Sequence, residues 1–293
     1  MTYLLTVRNE RADAFISSSK RIIDEALYKY LHLLLGQSED VREAAVYTIK
    51  TGGHRWRPIL LLTVGRSYGA PDAELLPMAC VVELLHTAAM ILDDLPCMDD
   101  ANLRHGHTTC HRVFGEDVTT LASHFLLTTC FEIVRTSYRP WYTGELTALI
   151  TDMIRGQAAD LKLKGRIAGR HELEEVYRLK SGRLAGFSAK MGAALAEASA
   201  DEIERLNQFG ETLGLAYQIL DDLFDANGGP PDVGKEPGKD IDKSTFVTLF
   251  GNASAAAQAN VYKEMALEKL TSLISDVSEL QLLTDYIVPS PYL

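Results

Sequence analysis

The apolar positions of the sequence recur at helical spacing and show no sustained alternation of the kind that predicts strands. Ser38-Glu39-Asp40 begins a helical segment that ends before Gly52-Gly53, and Pro58 fits the first turn of the next helix. A mostly apolar segment then runs from Asp72 to Leu92 and is followed by Pro96. Five more helical segments are predicted, at about 118–138, 143–163, 171–199, 201–225 and 253–287.

The apolar segments predict one helical bundle. Residues 78–92 are apolar all round the helix, which is typical of a helix buried inside a large bundle. Hairpin signals are missing, and Asn227-Gly228-Gly229-Pro230-Pro231 closes a helix with a loop. A repeat of 30–50 residues is also missing, which disfavours a helical solenoid. We therefore predict a single all-α domain over residues 1–293.

Composition narrows the class of protein. The chain has 293 residues, of which 46% are hydrophobic and 24% charged, as in ordinary globular proteins. Its net charge of -11 argues against a nucleic-acid partner. The four cysteines form no CxxC pair, so reduced thiols are expected. No apolar run approaches the ~20 residues of a membrane span, and Met1–Lys20 lacks the order of a signal peptide. We expect a cytoplasmic protein without a transmembrane segment.

Two clusters of aspartates, Asp93–Asp100 and Asp221–Asp225, each follow a long apolar helix. Asp221 and Asp225 share a helix face, and a bend at Pro96 would return the first cluster upon itself. Carboxylates at this spacing repel one another unless a cation lies between them. One such cluster could simply be a solvated helix end. Acidic residues at a helix C-terminus are unfavourable, however, because they oppose the helix dipole, and here this occurs at two helices. Oxygen-only ligands favour magnesium, which characteristically also binds substrate phosphates.

Basic residues accompany both clusters. They are Arg55, Arg57 and Arg104 near the first, and Lys235, Lys239 and Lys243 near the second. Lys180-Ser181-Gly182-Arg183 interrupts another predicted helix. A lysine-rich loop alone is more often simply solvated. Together with carboxylates and an apolar helical wall, however, these residues predict a site for a magnesium-bound diphosphate with an apolar tail.

Several short motifs follow one another between Gly52 and Gly251. They are Gly52–Pro58 (GGHRWRP), Glu83–His86 (ELLH), Asp93–Asp99 (DDLPCMD), Arg104, Phe114–Glu116 (FGE), Gly156-Gln157 with Asp160, Lys180–Gly182 (KSG), Tyr217–Asp225 (YQILDDLFD) and Lys243–Thr245 (KST). A single DDxxD motif is a weak signal, whereas two in this setting are a strong one. With its motifs in this order, the sequence resembles the trans-isoprenyl diphosphate synthases, and within that family the bacterial geranylgeranyl and farnesyl diphosphate synthases.

The resemblance implies a bundle of long helices around a deep central cavity, usually assembled as a homodimer. It also implies a magnesium-dependent, head-to-tail condensation of an allylic diphosphate with isopentenyl diphosphate. Three magnesium ions would hold the allylic diphosphate between the two aspartate-rich motifs. Its carbon–oxygen bond ionises, the double bond of isopentenyl diphosphate attacks the allylic cation, and a proton leaves.

The resemblance also assigns roles to individual residues. The implied metal ligands are Asp93, Asp94, Asp99, Asp221, Asp222 and Asp225. The implied allylic diphosphate-binding residues are Arg104, Lys180, Lys235 and Lys243. The implied isopentenyl diphosphate-binding residues are His54, Arg57, His86 and His105. The implied catalytic residues are Lys180, Ser181 and Gln218, the last two directing oxygen dipoles at the cation.

The sequence departs from the family pattern at the acceptor site. His54 replaces the usual lysine and His105 the usual arginine, so we expect weaker and pH-sensitive binding of isopentenyl diphosphate. A changed acceptor or a poorly active subunit are further readings of these replacements. Lys235 and Lys239 compete for one family role. A zinc site is disfavoured, because His54, His105, His107, Cys110 and His111 fit no common zinc spacing.

Small residues below the first aspartate cluster bear on product length. Ala88 and Ala89 lie about one helical turn before Asp93, and farnesyl-producing relatives tend to carry an aromatic residue at the position of Ala88. Gly210 and Gly214 predict a second track of small residues, or merely close helix packing. We therefore expect geranylgeranyl diphosphate as product, with farnesyl diphosphate as the alternative. His124 stands on a helix that could form the cavity floor.

Two other classes compete with a synthase. A terpene cyclase shares the bundle but normally carries an Asn/Ser/Glu triad as its second metal site, where this sequence has Asp221–Asp225. A non-catalytic partner subunit often lacks aspartates of one motif, and both motifs are whole here. The sequence therefore favours a synthase.

Overall fold

The computed structural model describes residues 10–32, 38–227, 243–271, 273 and 276–289. The helices are α1 (Glu10–His32), α2 (Glu39–Thr51), α3 (Trp56–Ser67), α4 (Asp72–Asp93), α5 (Cys110–Phe114), α6 (Glu116–Ser137), α7 (Trp141–Lys162), α8 (Arg170–Tyr177), α9 (Arg183–Leu195), α10 (Ala200–Asn227), α11 (Phe246–Phe250), α12 (Asn252–Leu270) and α13 (Ser278–Ile287). Strands β1 (Leu103–Arg104) and β2 (His107–Thr108) form a small antiparallel hairpin. The all-α prediction is confirmed.

Helix α4 lies at the centre of the bundle, where it packs against α3, α6 and α9. The apolar residues that surround it are buried on every side, as the sequence pattern predicts. Contrary to the expectation that no apolar run approaches the length of a membrane span, α4 is long and apolar enough to cross a membrane by length and composition. Most of that segment is buried inside the bundle, so packing accounts for its apolarity.

Helix α10 packs closely against α9 because glycines line the contact. A Cβ atom added at Gly214 would lie 2.7 Å from the Cα of Gly182, and one added at Gly210 would lie 2.4 Å from the Ala185 carbonyl oxygen. Neither glycine lines the central cavity. The close-packing interpretation is therefore correct, and the predicted small-residue track under the metal site is wrong.

Several boundaries differ from the prediction. The segment 253–287 is two helices, α12 and α13, rather than one. The segment 171–199 is divided by a π-helical turn, Arg178–Gly182, which is the interruption that the sequence indicates at Lys180. Helix α1 and the hairpin were not predicted. The hairpin has no Asn-Gly signal, and its turn residues His105 and Gly106 both have positive φ, as tight hairpin turns require.

Candidate functional site

The described residues enclose one deep cavity of about 790 Å³ in the middle of the bundle. Its lining combines polar and charged residues with many apolar ones, among them residues of α4, α6 and α7. Both aspartate clusters reach it: Asp93 and Asp99 on one wall, Asp221 and Asp222 on the other. We call the side with Asp93 and Asp99 the first wall and the side with Asp221 and Asp222 the second wall.

The first wall is built at the C-terminus of α4. Its turn closes as predicted, because the Asp99 backbone N–H donates to the Asp93 carbonyl oxygen at 2.9 Å. Asp94 has a different environment. Its side chain is buried, it accepts a hydrogen bond from Arg104 Nε at 3.0 Å, and it does not line the central cavity.

Lysines neutralise the two cavity-lining aspartates of the first wall. Lys243 Nζ lies 2.8 Å from Asp99 Oδ1. Lys180 Nζ donates to Asp160 Oδ2 at 2.7 Å and lies 3.9 Å from Asp93 Oδ2. Burial lowers the pKa of Lys180, but the carboxylates of Asp93 and Asp160 outweigh this effect and hold its pKa above the usual value. The lysine therefore stays charged beside the cavity.

The two aspartates respond differently to these lysines. Burial raises the pKa of Asp93, and the facing Lys180 and Arg104 only partly oppose the rise. Burial also acts to raise the pKa of Asp99, but the charges of Lys243, Lys180 and Lys164 together bring its pKa below the ordinary value. The charge of Asp99 is therefore better compensated than that of Asp93.

The second wall is the C-terminal part of α10. Asp222 is 4% exposed and accepts hydrogen bonds from the Tyr177 hydroxyl and, at 3.3 Å, from the Phe246 backbone N–H. Gln218, one turn earlier, lies with its Nε2 3.4 Å from Asp222 Oδ1. The Ser181 hydroxyl donates to Gln218 Oε1 at 2.5 Å, so two predicted catalytic side chains form one pair.

The π-helical turn presents Lys180 and Ser181 to the cavity. It fits against α7 because residue 156 is glycine: a Cβ atom there would lie 2.7 Å from the Lys180 backbone nitrogen. One turn further along α7, Asp160 holds the Lys180 ammonium group. Gly156 therefore positions the backbone of Lys180, and Asp160 positions its side chain.

The four predicted acceptor residues converge on the same cavity, which is lined by His54, Arg57, His86 and His105. Arg57 Nη1 lies 3.4 Å from His86 Nε2, and its guanidinium stacks over the Trp56 ring. Burial, reinforced by the charges of Arg57 and other basic groups, holds the pKa of His86 well below its ordinary value of 6.5. His86 is therefore neutral at physiological pH.

The hairpin brings His105 over Gly53. An added Cβ at Gly53 would lie 3.3 Å from the His105 ring, so the two histidine replacements of the family pattern are close in space. Arg55, counted among the cations from sequence, instead pairs with Asp24 and Glu83 in the protein core and does not line the cavity.

Ala88 and Ala89 of α4 line the cavity. Ser123 of α6 donates from its hydroxyl to the Ala88 carbonyl oxygen at 2.8 Å, which fixes the two helices there. The lining also includes the apolar Leu127 of α6 and Met153 of α7, together with His124. The small side chains of residues 88 and 89 leave space beside α4 for an apolar chain.

Some predicted residues lie elsewhere, and the sequence reasoning missed others. Asp225 does not line the cavity, and Lys235 lies outside the described residues together with Lys239. Tyr177, which contacts Asp222, was missed because no sequence pattern connects it to α10. Asp160 was quoted only as part of a motif, without a role.

A magnesium ion fits the donor set of these walls, since the aspartates that line the cavity offer only oxygen ligands. Within the described part of the chain, no three or more His, Cys, Asp or Glu side chains are grouped as a metal site. An ion bound through one or two carboxylates and diphosphate oxygens does not need such a group. For the zinc alternative, Cys110 is buried and accepts a hydrogen bond from Thr119, away from the cavity.

An all-α bundle with aspartates on both walls of one deep cavity, facing lysines and an apolar depth, defines a prenyltransferase of the isoprenoid synthase type. The sequence profile of the polyprenyl synthetase family matches residues 38–286. The chain belongs to the polyprenyl synthetase family.

Individual relatives agree with this membership. The chain is 34% identical over 261 residues to a farnesyl diphosphate synthase of Bacillus subtilis, which covers 85% of this chain and 88% of the relative. It is 33% identical over 291 residues to the large subunit 1 of a heterodimeric geranylgeranyl pyrophosphate synthase of Arabidopsis thaliana, covering 94% and 78%. Among solved structures, a geranyltranstransferase of Thermotoga maritima superposes with a TM-score of 0.79 at 29% identity, covering 93% and 96%.

Proposed function

We propose that this prenyltransferase condenses an allylic diphosphate with isopentenyl diphosphate and releases geranylgeranyl diphosphate. The observation that carries the proposal is the pair of aspartate walls that line one cavity together with Lys180, Arg104 and Lys243. Its apolar depth suits a growing isoprenoid tail, because close-packed walls admit only as many carbons as the cavity holds.

The first and second walls would hold magnesium, directly or through water, and three ions are proposed with substrate bound. When bound, magnesium supplies positive charge that stabilises the departing diphosphate. We assign this role to Asp93, Asp99 and Asp221 first, because they line the cavity. Asp222 lines the cavity as well and is held in place by the Tyr177 hydroxyl, whereas Asp94 and Asp225 would act indirectly.

The chain's own residues then orient and protect the reacting atoms. Lys180 and Arg104 bind the diphosphate oxygens of the allylic substrate. The Ser181–Gln218 pair directs oxygen dipoles at the carbon where positive charge develops. The apolar lining excludes water, which would otherwise capture the cation.

The basic pocket around Arg57 would hold isopentenyl diphosphate. Arg57 supplies a permanent charge there, and neutral His86 can donate one hydrogen bond. His54 and His105 complete the pocket where the family carries a lysine and an arginine, so weaker acceptor binding is part of the proposal.

Product length follows from Ala88 in this proposal. Replacing Ala88 with tyrosine fills the cavity at that level, so the product should shorten from geranylgeranyl towards farnesyl diphosphate, measured by mass spectrometry of the extracted product. Ala122→Ser, a buried change on α6 outside the cavity lining, is the control and should leave product length unchanged. An unchanged product from the tyrosine variant would show that Ala88 does not limit the tunnel.

Diphosphate release separates the synthase from the two alternatives. The protein is incubated with dimethylallyl or geranyl diphosphate, with and without isopentenyl diphosphate. Release only in the presence of the acceptor supports the proposed condensation. Release without it indicates a cyclase, and no release in either case indicates a non-catalytic subunit.

We also propose a homodimer. The family resemblance implies this assembly, and exposed apolar side chains such as Leu121 of α6 are available for a protein interface. Light scattering of the purified protein tests this assembly.

A further inference from the structure

The loop after α7 contacts the first wall through Lys164. Its Nζ donates to the carbonyl oxygen of Met98 and lies 3.7 Å from Asp99 Oδ1. Met98 and Asp99 both line the cavity, so this ammonium group lies at the cavity rim. None of the family motifs quoted above includes Lys164.

Lys164 is the outer end of an alternating row of charges. Asp99 lies between Lys164 and Lys243, whose Nζ is 2.8 Å from the carboxylate. Lys243 lies 4.0 Å from Asp160, and Asp160 in turn accepts a hydrogen bond from Lys180. The row thus places three ammonium groups at the rim on which the proposed diphosphate must dock.

Asp99 cannot hold both lysines and a divalent cation. The ammonium groups and the metal carry the same sign, so a metal at Asp99 would repel the lysines, while a diphosphate beside it would attract them. The Lys164 side chain is 38% exposed, and its ammonium group ends a flexible four-carbon chain. The ammonium group can therefore move from Asp99 to a bound diphosphate.

We infer that Lys164 is a further diphosphate-binding residue, which neutralises Asp99 in the substrate-free protein and turns to the diphosphate when metal and substrate arrive. This inference rests on the proposed function. It predicts effects of opposite sign on two ligands. Without Lys164, Asp99 is less compensated, so it should bind Mg²⁺ alone more tightly, whereas Mg²⁺ with inorganic diphosphate should bind less tightly.

A purely structural role for Lys164 predicts a different pattern. If its bond to the Met98 carbonyl only braces the turn, removal should loosen the turn and weaken both ligands together. The two explanations therefore separate on the sign of the change for Mg²⁺ alone.

Isothermal titration of the full-length protein with MgCl₂, and then with inorganic diphosphate in saturating MgCl₂, tests the inference. Lys164→Gln is compared with the wild type and with Lys162→Gln, an exposed lysine two residues earlier that does not line the cavity. We expect Lys164→Gln to increase the affinity for Mg²⁺ about two- to five-fold, which is the range of an exposed charge pair. The affinity for diphosphate should fall about ten-fold, as for a lost hydrogen bond to a charged group. Lys162→Gln should match the wild type.

Other outcomes would overturn either the role of Lys164 or the proposed function. If Lys164→Gln equals Lys162→Gln in both titrations, or weakens both ligands, the role of Lys164 is wrong. If the wild type itself fails to bind diphosphate with Mg²⁺, the proposed function falls and the inference falls with it. The thermal unfolding midpoint of each variant shows whether a loss of binding comes from unfolding.

Discussion

The two walls of the cavity hold their carboxylates in different ways. On the first wall, Asp93 and Asp99 face the ammonium groups of Lys180 and Lys243. On the second wall, Asp222 is held by neutral donors, namely the Tyr177 hydroxyl and a backbone N–H. The carboxylates of the first wall are thus neutralised by lysine charges, whereas the Asp222 carboxylate of the second wall is stabilised by the fixed dipoles of neutral hydrogen-bond donors.

This difference has a consequence for ligand binding. Lysines on flexible stems can leave a carboxylate when a metal ion approaches, and can then bind the diphosphate. A buried hydroxyl and a backbone amide cannot move so far, so they keep their carboxylate in one orientation. We expect the first wall to rearrange on binding and the second wall to remain as it is.

The largest predicted effect tests whether both walls are needed. Asp93→Asn and Asp221→Asn should each lower kcat about 1,000-fold, because each removes charge that holds the metal ions stabilising the leaving diphosphate. The rate is measured as diphosphate release at saturating substrate. Asp100→Asn, an exposed neighbour paired with Arg112, is the control and should stay within two-fold of the wild type. Near-normal rates for either wall variant would mean that one wall suffices.

The next effect isolates the fixed dipoles of the second wall. Tyr177→Phe removes the hydroxyl donor of Asp222, and the loss of such an outer contact to a metal-binding group typically costs about 10- to 100-fold in metal affinity or activity. The Mg²⁺ concentration that gives half-maximal rate should rise. Tyr262→Phe loses a comparable bond to Glu174 away from the cavity, and it should leave the Mg²⁺ requirement unchanged.

A third prediction disturbs the lysine of the first wall through the backbone. Gly156→Ala places a methyl group against the Lys180 backbone, so it should destabilise the protein by about 1–3 kcal/mol and raise the KM for the allylic diphosphate. Chemical denaturation and initial rates measure the two effects. Gly144→Ala lies on the same helix with nothing within 4 Å, so it should instead stabilise by about 0.5–1 kcal/mol. Equal behaviour of the two variants would contradict the close contact.

The smallest effect concerns His86 on the helix of the first wall. Its pKa is lower in the folded protein than in the unfolded chain, so below about pH 6.5 the unfolded chain binds the proton more readily. Stability should therefore fall as pH decreases, with a slope of at most about 1.4 kcal/mol per pH unit from this group. His86→Gln should flatten the slope measured by denaturation between pH 7 and 5. An unchanged slope in His86→Gln would contradict the lowered pKa of His86.

The sequence predicted the features that depend on local pattern. Helix α4, its bend at Pro96 and the return of Asp99 to Asp93 follow from apolar spacing and proline geometry. The pairing of Lys243 with Asp99 could not be predicted, because the two residues are 144 positions apart in the chain. Tyr177 and Lys164 likewise acquire their partners only when distant parts of the chain pack together, and no motif marks either residue.

A crystal soaked with MnCl₂ and inorganic diphosphate, with the metal located by anomalous scattering, tests most directly whether both walls bind metal. We expect manganese at the first wall beside Asp93 and at the second wall beside Asp221, with one diphosphate bridging the two. Manganese at only one wall, or a diphosphate bound outside the cavity, would contradict it.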